Sequence, residues 1–167
     1  MSADTSIDPP AGLAPDYPSA REAFIAAATA AEADLSHVAH PLAGPTGEAI
    51  GIDLADLGPR DAVSVAFVVS GTHGAEGFAG SALQTHWLTH CADHRPDGVR
   101  IVWLHAHNPY GFAWTRRVNE DNVDLNRNYI DWSQPPPENP GYAEVADLLV
   151  PDDWSAATQD RTLTALL

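Results

Sequence analysis

Ala62-Val-Ser-Val-Ala-Phe-Val-Val69, followed at once by Ser70-Gly-Thr-His73-Gly-Ala-Glu76, is the most informative run of this chain. Residues 62–69 are β-branched or apolar at both alternating positions, which predicts a strand buried inside an α/β sheet rather than a half-solvated one. Ser70-Gly-Thr-His-Gly then breaks the strand. Ligands of open α/β sheets gather just beyond the carboxyl ends of the strands, so His73 and Glu76 stand where a site is expected. An imidazole nitrogen and a carboxylate oxygen are both suitable donors for zinc. Taken alone, the His-x-x-Glu pair is a weak signal, because two common residue types three apart recur by chance.

The company it keeps strengthens it. Residues 99–106 predict a second buried strand, and the loop region beyond it holds Arg116, Arg117, Asn126 and Arg127. Such a cluster is suited to anions. The plainer alternative, ordinary surface ion pairs, is weakened by composition: only 8 Lys and Arg stand against 23 Asp and Glu, and three of the eight fall in this region.

The order His73-x-x-Glu76, Asn108-Pro-Tyr-Gly-Phe112, Arg117-Val-Asn119 and Val123-Asp-Leu-Asn-Arg-Asn128 resembles the zinc carboxypeptidase superfamily, which includes the succinylglutamate desuccinylase and aspartoacylase deacylases. The longer strings around His73 and Arg127 are similar to a bacterial branch of it. The resemblance spans about residues 15 to 132. It implies a three-layer α/β fold with a mixed, mostly parallel sheet flanked by helices. It also implies His73 and Glu76 as zinc ligands, Arg117 as the group that polarises the scissile carbonyl, and Asn126 with Arg127, beside Arg116, as the clamp for a substrate carboxylate. The implied reaction is hydrolysis of an amide in a peptide or N-acyl amino acid. Arg117, Asn126 and Arg127 should then line the same cavity as the zinc pair.

One departure is large. The resemblance calls for a third ligand, a histidine downstream of the Asn-Arg pair, and a general-base glutamate beyond it. All eight histidines, at 37, 40, 73, 86, 90, 94, 105 and 107, lie upstream of Asn126. Catalytic zinc takes three protein ligands and leaves one position for water. The simplest expectation is a truncated fold, with residues 17–167 the amino-terminal part of a zinc carboxypeptidase-like domain. Residues 155–167 agree: they have helical spacing and end on Leu166-Leu167 without a capping residue. Two other readings stay open, one in which His105 or His107 replaces the missing ligand, and one in which a degenerate, non-catalytic module binds an acidic small ligand.

The formal charge of -15 disfavours nucleic acid and anionic membrane as partners, leaving a carboxylate-bearing small molecule or peptide. Cys91 is the only cysteine, so no internal disulfide forms. The first residues carry neither a basic nor an apolar leader segment, and no run reaches membrane-spanning length, so a cytoplasmic setting is expected.

Along the chain, residues 1–16 read as a loose, proline-containing lead-in, and 17–34 as an alanine-rich helix capped by Ser19 with Glu22. Residues 37–41 and 48–54 predict a hairpin around Gly44-Pro-Thr-Gly47, leaving His37 and His40 on the surface. A helix is expected over 77–91, with His86, His90 and His94 on its solvated side. Asn122 suits a positive φ, Asp124 orients its own loop, and the Pro-rich stretch at 133–140 is a connection before a helix over 141–150.

Overall fold

A computed structural model describes residues 13–166 of the chain. Most of the lead-in expected over 1–16 lies outside the described residues. The chain divides into two compact units, one running to Tyr129 and the other from Ile130.

The first unit is a mixed α/β structure with a four-stranded mixed sheet flanked by helices. Its elements are α1 (Tyr17–Ala30), β1 (Asp34–Ala43), β2 (Ala49–Leu57), β3 (Ser64–Val69), α2 (Gly74–His90), β4 (Val99–His105) and a short α3 (Pro109–Ala113). The helix α1 starts as expected, but its cap is Asp16, whose carboxylate accepts from Ser19 N at 2.9 Å; Ser19 is the recipient of the cap. The β1–β2 hairpin turns at Gly44 to Gly47, where Glu48 receives Thr46 N at 2.8 Å and Gly47 has φ of 84°.

Strand order is β1-β2-β4-β3. The pairings β1–β2 and β2–β4 are antiparallel, and β3–β4 is parallel through the α2 crossover. The sheet is therefore mixed as expected, yet parallel pairing does not dominate these four strands, because the hairpin brings β2 back against β4. A second difference concerns β3. Its pattern predicts an interior strand, but here it lies at the sheet edge, and Val65, Phe67 and Val69 are 57%, 58% and 42% exposed.

The two sheet faces differ. Ala55, Ile101 and Trp103 pack with Phe24 and Ala28 of α1 and Leu88 of α2. A second cluster joins Tyr17, Ala20, Ile50, Ala106 and Phe112 near the carboxyl ends of the strands. Register places Phe67 beside Val102 and Val69 beside Leu104, so the opposite face is also apolar. Among the described residues of the first unit no helix packs on that face, where Val65, Phe67 and Val69 are exposed. The second unit holds α4 (Pro140–Leu149) and α5 (Ala156–Leu166), joined by Thr162 Oγ1 donating to Leu148 O at 3.2 Å. Among the described residues no helix is long and apolar enough to cross a membrane.

Candidate metal centre

The site is assembled where β3 and β4 end. His73 is the N-cap residue of α2, in extended conformation, and Glu76 lies in that helix's first turn. The loop from Arg116 docks against this turn: Gly74 N donates to Arg116 O at 2.9 Å. A side chain at position 74 would collide with the Gly111 carbonyl, so only glycine allows this approach.

His73 is buried and bonded on both ring nitrogens. Nδ1 faces Glu76 Oε2 at 3.0 Å, and Nε2 faces Asp124 Oδ1 at 2.9 Å. Asp124 in turn receives Arg117 Nε at 2.8 Å and the backbone N of Asn126 at 2.9 Å. Arg117 Nη1 also lies 3.7 Å from Glu76 Oε1. The histidine's proton donation, then the Asn126 amide and Arg117, hold the Asp124 carboxyl down at about 2. Hydrogen bonds to Asp124 first and Glu76 second raise the His73 pKa.

Both contacts together fit a ring protonated on both nitrogens, whereas the neutral ring protonated at Nε2 satisfies only the contact to Asp124. With Nε2–H donating to Asp124, Nδ1 turns a lone pair toward a carboxylate oxygen. Two such acceptors in contact need a proton or a cation between them, and a carboxylate behind a ligating imidazole is the usual support for a metal. The donor pair therefore suits zinc in chemistry and direction. Among the described residues no three His, Cys, Asp or Glu side chains converge on one point. His105 is fully buried against Ser81 and Phe24. His107 contacts Thr72 Oγ1 at 3.3 Å and lines a separate cavity with His40 and Glu120. Neither joins His73 and Glu76.

A cavity of about 350 Å³ opens on the pair, lined also by Ser70, Thr72, Asn126 and Tyr129. Asn126 thus shares the cavity with His73 and Glu76. Arg117 touches the pair through its ion contacts but, like Arg127 and Arg116, does not line the cavity, so of the three residues expected there only Asn126 does. Arg127 Nη1 bonds Asn126 O at 2.9 Å; Arg116 Nη2 bonds Asn122 Oδ1 at 3.2 Å and its guanidinium lies over Tyr110. The sequence pattern assigns Asp124 only its own loop. It does bond that loop, but its contact with His73 crosses 51 positions, and no spacing rule reveals such a pair.

The profile of a family described as "Protein of unknown function (DUF2817)" matches residues 13–167. The chain belongs to the DUF2817 family. No curated protein matches this DUF2817 chain. Among solved structures it is similar to a glutaminyl cyclase from Tannerella forsythia, at 12% identity over 70% of this chain and 47% of that one, with a TM-score of 0.43. It is also similar to a Zn-dependent exopeptidase from Parabacteroides distasonis, at 11% identity over 63% and 44%, with a TM-score of 0.43. A Fimbriiglobus ruber glutaminyl cyclase gives 15% identity over 56% and 38%, with a TM-score of 0.40. The DUF2817 chain spans less than half the length of each of these structures.

Proposed function

We propose that this chain contributes part of a zinc hydrolase site held by His73 and Glu76, and that residues 17–167 are the amino-terminal part of a zinc carboxypeptidase-like domain. The observation that carries this reading is the Nδ1 of His73 facing Glu76 Oε2 at 3.0 Å while Nε2 is committed to Asp124. Zinc, when bound, supplies Lewis acidity toward a carbonyl and lowers the pKa of its water. Asp124 fixes the ring and its tautomer. Arg117 supplies fixed positive charge for a developing oxyanion. Asn126 and Arg127 offer donors to a substrate carboxylate, Arg127 once its fork swings from the Asn126 carbonyl. The reaction class is hydrolysis of an amide in a carboxylate-bearing peptide or N-acyl amino acid. Among the described residues no third His, Cys, Asp or Glu joins the pair.

The test is zinc titration of this chain and of its His73→Ala and Glu76→Gln variants by calorimetry. Weak saturable binding that disappears in both variants is expected, with little amide hydrolysis, because a missing general base alone costs about 10² to 10⁴ in rate. Zinc binding indifferent to both substitutions would sink the proposal. Tight stoichiometric binding that depends on His107 would replace the incomplete site with one complete in this chain.

A further inference from the structure

The end of α2 remote from His73 carries a second pair of metal-binding side chains. His86 and His90 are one helical turn apart, both exposed, with ring centroids 4.7 Å apart and planes inclined at 53°. We propose that they form a two-imidazole surface chelate for a late first-row divalent ion, independent of the His73–Glu76 pair. Residues four apart on a helix share one face, so the two rings reach a single ion without any backbone change. Their planes are tilted rather than stacked face to face.

Three further features favour a cation there. His90 lies in the last turn of a 17-residue helix, where the macrodipole and the unpaired carbonyls present negative potential, and His86 stands one turn before it. The helix is anchored from its other side by buried Gln84 and Leu88, so its geometry is set before an ion arrives. The chain as a whole carries a formal charge of -15, which concentrates cations at its surface. Imidazole ligands select Cu²⁺, Ni²⁺ and Zn²⁺ over Mg²⁺ and Ca²⁺, and two protein ligands leave the remaining positions to water. The site should therefore be labile. Along α2 the two sites are roughly 20 Å apart.

The experiment is Ni²⁺ titration of the tag-free chain in a His73→Ala background, so that neither the outcome nor the variants touch the hydrolase reading. His86→Ala, His90→Ala and the double variant are compared, with far-UV circular dichroism to confirm the fold; alanine at exposed helical positions preserves it. A chelate predicts that each single substitution weakens binding on the order of tenfold or more and that the double variant is little worse, since the second ligation is intramolecular. Binding unaffected by either substitution, independent additive losses, or no Ni²⁺ binding by the background chain would each overturn the proposal.

Discussion

His105 shows what burial does to a titratable group. It is fully buried, stacked on Phe24 with ring centroids 4.6 Å apart, and bonded through Nε2 to Ser81 Oγ at 2.9 Å. Desolvation pushes its pKa down to about 4, while nearby Asp53 pulls upward and Arg21 downward by less. The unfolded chain takes up this proton near pH 6.5 and the folded chain only near 4, so stability falls as pH drops through that window. The loss is on the order of 3 kcal/mol by pH 4. Urea unfolding at pH 7, 5 and 4 should show it, and His105→Gln should remove that part of the slope; identical slopes would refute the assignment. Asp124 is the contrasting case, a carboxylate whose partners His73, Arg117 and Asn126 all favour its charge. The turn at Asn122 is legible from residue type alone, and Asn122 does adopt a positive φ, at 62°.

Among the elements, α1 ends in a Schellman arrangement occupied by the wrong residue type. Ala33 N donates to Ala28 O and Glu32 N to Thr29 O, both at 3.0 Å, with Glu32 at φ of 57°. Glycine is the usual occupant because a Cβ is unfavourable there. Glu32→Gly should therefore stabilise the protein by about 0.5 to 1 kcal/mol, read as a higher urea midpoint at unchanged m; a lower midpoint would show that α1 depends on the glutamate itself. Element positions are largely legible from periodicity: α2, expected over 77–91, spans Gly74–His90, β1 is longer than expected at both ends, and β2 starts one residue later and ends three residues later than expected. The short α3 is not legible, because Asn108-Pro-Tyr-Gly-Phe112 has too few residues for a helical period. Only its cap, Asn108 Oδ1 accepting Gly111 N at 2.8 Å, marks its start.

For the molecule as a whole, the exposed edge of the sheet is the dominant liability. Val65, Phe67 and Val69 line an edge strand whose outer side has no partner strand among the described residues. An exposed apolar edge of this kind pairs readily with other chains. The isolated chain should self-associate, and Phe67→Lys should reduce that self-association in light scattering without lowering secondary structure; unchanged scattering would mean the edge is innocuous. The sequence by itself determined that residues 62–69 form a strand, that His73 and Glu76 follow its carboxyl end, and that an arginine-rich loop comes after the next strand, because these depend on local pattern and chain order. Tertiary structure alone decided that β3 stands at the edge, that Asp124 holds His73 across 51 positions, and that Arg127 turns from the cavity. Those outcomes depend on which distant segments pack together, and neither hydrophobic period nor motif spacing records it.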